Sequence, residues 1–231
     1  MCHNKNFYDR HISARLVHCG CSIGEFSQMR EWVIPRAKGI VVEIGLGSGL
    51  NLPHYDPRKI DLLVGVEPDA TMLELAEEPL ARTPIPAELH QTTAERLPLK
   101  DAMADTVVVT YALCTIADPA KALAEIKRIL KPSGKLLFCE HALATGRRAR
   151  LQCRLDGLWR KLFSGCSITR DPIVAITAAG FIIEDVTARP FPFAQMLLGM
   201  HYGGEARARM AARSPFRTEQ QARRVRTPLP A

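Results

Sequence analysis

Short apolar runs alternate with amphipathic stretches along most of the chain. Residues 40–44 (Ile-Val-Val-Glu-Ile) and 62–67 (Leu-Leu-Val-Gly-Val-Glu) are nearly continuous and rich in branched side chains. That is the pattern of strands buried on both faces of a parallel sheet. Residues 106–111 (Thr-Val-Val-Val-Thr-Tyr) and 135–139 (Lys-Leu-Leu-Phe-Cys) repeat it, and 89–92 is a weaker copy. Two further strands are expected over 181–186 and around 197–202.

Helical periodicity fills the gaps. Residues 5–36 read as helical in pieces, with a turn near 20–24. Pro53 and Pro57 keep any helix after residue 51 short. Asp69 is a suitable N-cap for a helix over 70–80. Asp118-Pro119 opens a helix that ends near Lys131-Pro132-Ser133-Gly134, with Leu123, Ile126, Ile129 and Leu130 on one face. A basic amphipathic helix is expected over 145–163 and a short one over 171–179. Strands alternating with helices predict an open, mostly parallel α/β sheet.

Composition narrows the class. The chain has 231 residues, 47% hydrophobic and 24% charged, which suits one globular domain. No run of about 18 uncharged apolar residues occurs, so no spanning helix is expected. The N-terminus lacks an apolar signal core, and a cytoplasmic location is the expectation. The seven cysteines are scattered, with no Cys-x-x-Cys pair, and reduced thiols are expected. His18, Cys19 and Cys21 fit no usual zinc spacing, so no metal site is expected.

The net charge of +7 is unevenly spread. Residues 205–231 hold seven arginines against two glutamates, and residues 147–161 hold five arginines and a lysine against Asp156. A solvated tail explains the first cluster; peripheral contact with an anionic membrane is the sharper reading. Phe216 is the one aromatic residue in the basic tail, which disfavours nucleic acid as a partner.

The chemistry concentrates after the first strand. Gly45, Gly47 and Gly49 follow Glu43 at alternate positions. Glycines there allow positive φ and close approach of backbone to ligand. A dinucleotide loop needs its third glycine three residues after the second, and that position is Leu50. A carboxylate at 43 would also repel a pyrophosphate. It suits instead a cofactor with an ammonium and a sulfonium, S-adenosyl-L-methionine (SAM). Glu67, at the end of the second strand, is placed to accept from both ribose hydroxyls. Thr93, Ala94 and Glu95 are placed for the adenine edge, and Thr110 and Tyr111 for the methionine end, Tyr111 being equally readable as core.

Together these segments resemble the class I SAM-dependent methyltransferases over residues 35–140, in the branch of the quinone-biosynthesis C-methyltransferases. Thr93 stands where that family often has Asp. The later half is similar to the alkyl-thiol methyltransferase-like branch, through Leu113-Cys114, Glu140-His141, residues 155–159 (Leu-Asp-Gly-Leu-Trp) and residues 163–170 (Phe-Ser-Gly-Cys-Ser-Ile-Thr-Arg), with the neighbourhoods of Pro190-Phe191 and Tyr202-Gly203.

The resemblance implies a Rossmann-like seven-stranded, mostly parallel sheet with helices on both faces and the last strand antiparallel. It divides the chain into a helical segment (1–35), a methyltransferase domain (36–205) and a basic tail (206–231). It adds Asn51 and Pro68 to the expected cofactor contacts. On the acceptor side it draws attention to His141 and Asp156 as catalytic candidates and to Trp159 as an apolar wall, each also readable as structural.

A small apolar acceptor is expected, a thiol first, with a quinone or a phospholipid amine as alternatives. A non-catalytic SAM-binding protein is the reading from another class. An NAD-dependent reductase is disfavoured by the glycine spacing, by Glu43 and by the lack of a Tyr-x-x-x-Lys pair. Nucleic-acid methylation is disfavoured because no Asn-Pro-Pro-Tyr or Asp-Pro-Pro-Tyr follows the fourth strand.

Overall fold

A computed structural model describes residues 12–190 and 199–209. Seven strands form one sheet in the order β3-β2-β1-β4-β5-β7-β6. They are β1 (Gly39–Ile44), β2 (Ile60–Val66), β3 (Ala87–His90), β4 (Ala104–Thr110), β5 (Leu130–Ala142), β6 (Phe181–Pro190) and β7 (Met200–Ala208). β7 runs antiparallel to both β5 and β6, while β1 to β5 are mutually parallel. The expected mostly parallel sheet with an antiparallel last strand is therefore present.

Alternation along the central strands builds two cores. Val42, Val64, Val107 and Leu136 point to one face and pack against α4 (Pro119–Ile129) and α6 (Pro172–Ala178) through Leu123, Ile126 and Ile176. Val41, Leu63, Val108 and Leu137 point to the other and meet Phe26, Met29 and Val33 of α2 (Gly24–Val33). Burying each such side chain contributes about 1.5–3 kcal/mol. The residue 1–35 segment thus enters the same core as the sheet, as far as it is described, with α1 (Ala14–Cys21) preceding α2. Among the described residues no helix is long and apolar enough to cross a membrane.

Asp69 and Asp118 cap their helices as expected, and Asp171, which the sequence placed inside a short helix, caps one too. Asp69 accepts from the backbone of Thr71 and Met72 at the start of α3 (Ala70–Arg82), Asp118 from Lys121, and Asp171 from Ile173 and Val174. The last strand departs from expectation. It starts at Met200 and continues to Ala208, past the 206–231 boundary, and residues 197–198 lie outside the description. Gly-Gly-Glu-Ala-Arg-Ala reads as polar, yet each side of it is paired. A Cβ on Gly204 would come 2.2 Å from the Asp185 carbonyl, and Glu205 meets Lys135 at 2.9 Å. The Phe191 neighbourhood and most of the basic tail lie outside the described residues.

Candidate active site

A cavity of about 340 Å³ opens above the carboxyl ends of β1, β2 and β4. Its floor is the glycine loop. Gly45 has φ +72°, and a Cβ there would sit 2.6 Å from the Ala112 Cβ. Gly47 has φ +58° and its N–H donates to Glu67 Oε2 at 3.0 Å. Glu67 Oε1 accepts from the Asp69 N–H at 2.9 Å, so the carboxylate is held in place at the cavity wall. Of the expected cofactor contacts, Gly45, Gly47, Asn51, Glu67, Pro68, Ala94, Glu95, Thr110 and Tyr111 line the cavity. Thr93 joins Ala94 and Glu95 on the far side, where Glu95 Oε1 accepts from the Asp118 N–H at 3.1 Å.

Two expected contacts are absent from the lining, Glu43 and Gly49. Gly49 turns away; a Cβ on it would meet Leu52 Cδ1 at 2.8 Å. Glu43 is fully buried beneath the loop. Its Oε1 accepts from Asn51 Nδ2 at 2.8 Å and its Oε2 from the Tyr55 hydroxyl at 2.7 Å. Burial pushes its pKa up to about 7, against the lowering effect of those two hydrogen bonds. Asn51 Nδ2 also donates to Thr110 Oγ1 at 2.9 Å. Both amide hydrogens are thereby used, and the buried Oδ1 is left with no protein partner. Glu43 therefore acts through Asn51, fixing the orientation of an amide that lines the cavity.

The sequence reading missed Arg30. It comes from α2, is 4% exposed and lines the same cavity. It donates to the Cys21 carbonyl at 2.8 Å and lies over the Tyr111 ring at 5.0 Å, while its Nε has no partner. No local signal marks an arginine in a helix as a cavity residue; only the packing of α2 on the sheet does.

A second cavity, of about 260 Å³, lies beside the first, lined by Leu113, Cys114, Glu140, His141, Arg170 and Val174 among others. Glu140 Oε1 accepts from the N–H groups of Ala112 and Leu113 at 2.8 and 2.9 Å, fixing the loop after β4. Burial raises Glu140 to about 7. Tyr111 adopts φ +52° where that loop leaves the strand, an uncommon conformation for a side chain of its size. Its hydroxyl meets His201 Nδ1 at 2.9 Å and accepts from the Cys139 thiol at 3.0 Å, so it serves both core and cavity.

His141 is buried, with Nε2 3.3 Å from Cys166 Sγ. Burial alone would lower His141, but the contact with Cys166 outweighs it and raises it. Cys166 is held below the ordinary thiol range by a hydrogen bond from Cys114 and by His141, whereas Cys114 is pushed up. Asp156 Oδ1 accepts from the Ser167 hydroxyl at 3.0 Å and the Ile168 N–H at 2.8 Å, and the residue lines neither cavity. It belongs to α5 (Gly146–Leu162) and tethers the loop that carries Cys166. Trp159 stacks on Phe163 at 4.1 Å.

The donor set of the first cavity fits a zwitterionic nucleoside. It offers a carboxylate beside a glycine loop and a buried guanidinium for an anion. The comparisons agree. A family described as methyltransferase domain matches residues 42–138. The thiol S-methyltransferase TMT1B of Rattus norvegicus is 30% identical over 193 residues, covering 78% of this chain and 75% of that protein. The thiol S-methyltransferase TMT1A of Homo sapiens is 29% identical, over 68% and 65% of the two chains. A solved SAM-dependent methyltransferase of Thermotoga maritima shares the fold, with TM-score 0.59 and 24% identity over 87% of this chain and 99% of that one. The chain belongs to the methyltransferase-domain family of SAM-dependent enzymes.

Proposed function

We propose that the enzyme methylates the sulfur of a small, apolar thiol. The similarity to thiol S-methyltransferases over most of the chain carries this reading. The second cavity supports it with a largely apolar lining. SAM supplies an activated methyl group, and the protein's work is to align the acceptor and exclude water. A thiol is acidic enough to reach the thiolate without a dedicated base.

In this reading Glu67 accepts from the ribose hydroxyls and the backbone at 93–95 meets the adenine. Asn51 Oδ1 accepts from the ammonium, and Arg30 pairs with the methionine carboxylate. His141 and Asp156 are positioning residues, acting through Cys166 and through the 164–168 loop. The basic face of α5, with Leu158 and Leu162 exposed, suits peripheral contact with an anionic membrane from the cytoplasmic side.

The test is a screen with methyl-labelled SAM against alkyl thiols, demethylated quinones and phospholipid amines. Label transfer to an alkyl thiol is expected. Transfer to a quinone or an amine with none to any thiol overturns the acceptor assignment. SAM binding without transfer to any acceptor would favour a non-catalytic binding protein.

A further inference from the structure

Three donor atoms meet beside the second cavity: Cys114 Sγ, His141 Nε2 and Cys166 Sγ, all within 4.8 Å of one another. They come from three places, the turn after β4, the end of β5 and the loop after α5. Their separations of 27 and 25 residues in the sequence match no local metal-binding motif, so only the fold reveals the cluster. We propose that these three side chains bind a thiophilic divalent cation of the zinc class.

The geometry is close to what such an ion needs. Tetrahedral coordination with ordinary zinc bond lengths puts two sulfurs about 3.8 Å apart and a sulfur about 3.5 Å from an imidazole nitrogen. The Cys166 Sγ to His141 Nε2 distance is 3.3 Å, a few tenths short of that spacing, and all three donor pairs lie within 4.8 Å. The donors are held by other contacts. The Cys114 carbonyl accepts from the Ser167 N–H at 2.9 Å, which ties the first ligand's turn to the third ligand's loop. Asp156 anchors that loop from the other side.

Charge supports the same conclusion. Two thiolates in a largely buried site are costly alone, and a divalent cation with two thiolates and a neutral imidazole sums to zero. Soft sulfur and imidazole donors select zinc-like ions over magnesium or calcium. Three protein ligands leave a fourth position open, and two of them, Cys114 and His141, also line the second cavity. The inference is independent of which acceptor is methylated.

The experiment uses the full chain, purified under reducing conditions and titrated with cobalt(II), then assayed for zinc content after equilibration with zinc and removal of loose metal. One equivalent of metal is expected, with sulfur-to-cobalt charge-transfer absorption and the intense visible bands of a four-coordinate site. Cys114→Ser and Cys166→Ser should each halve the charge-transfer intensity and lower affinity at least tenfold. Cys19→Ser and Cys153→Ser should change nothing. Calorimetry with SAM verifies that each variant is folded.

Should a variant fail that check, the parent spectrum still decides. Absence of thiolate–cobalt absorption in the parent overturns the site. So does metal binding that Cys114→Ser and Cys166→Ser both leave intact. In those cases the three side chains form a cluster without metal.

Discussion

Asn51 donates one amide hydrogen to Glu43 and the other to Thr110, and all three side chains are closed off from solvent. The buried acid thereby fixes the orientation of the amide. Glu43 is raised from 4.5 to about 7, first of all by burial. Between those two pH values the folded protein holds a proton that the unfolded chain has released. Stability therefore falls as pH rises through this window and is level above it. Glu43→Gln removes that dependence. Without SAM, the urea midpoint of the variant should gain on that of the parent from pH 4.5 to 7 and then stay parallel. A constant difference across that range would place the Glu43 pKa elsewhere.

Glu67→Ala should weaken SAM binding by about 10- to 100-fold, the loss of one or two hydrogen bonds to a charged acceptor. Calorimetry reads this directly. Because Glu67 also holds the Gly47 and Asp69 N–H groups, the variant's thermal midpoint should fall too. Glu67→Gln, which keeps an acceptor oxygen, should recover part of both.

Arg30 gives a sharper discrimination. If its guanidinium meets the methionine carboxylate, Arg30→Gln should weaken SAM by about tenfold or more. Methylthioadenosine has neither the carboxylate nor the ammonium, and its affinity should be unchanged. Equal losses for both ligands would mean that Arg30 only supports the wall through Cys21 and Tyr111.

Arg30 also marks the limit of what the chain discloses by itself. The sheet strands, the Asp69 and Asp118 caps and the glycine loop were readable because each depends on neighbours in sequence. Glu67 and the 93–95 turn were readable because they follow the strands in order. Arg30, the Glu43–Asn51 contact and the Cys114–His141–Cys166 cluster depend on which elements pack together, and no periodicity carries that. The last strand was misplaced for a related reason. Its polar residues are neutralised by partners on strands β5 and β6.

Two glycine substitutions should act in opposite directions. Gly45→Ala forces a Cβ onto Ala112 at a positive φ, so SAM binding should be lost or reduced at least tenfold. Gly157 lies inside α5 with nothing within 4 Å of an added Cβ. Gly157→Ala should raise stability by about 0.5–1 kcal/mol, measured by urea unfolding, with turnover unchanged.

Asp156 separates a positioning role from a chemical one. Its Oδ1 accepts from Ser167 and Ile168, so Asp156→Ala strands the Ile168 N–H and loosens the loop bearing Cys166. The cost should be about 1–3 kcal/mol in stability. Turnover should drop while SAM affinity stays within about twofold, since Asp156 does not line the cofactor cavity. Asp156→Asn keeps an acceptor oxygen in the same place and should restore most of the lost turnover. A folded Asp156→Asn enzyme as inactive as Asp156→Ala would show instead that the carboxylate charge takes part in the reaction.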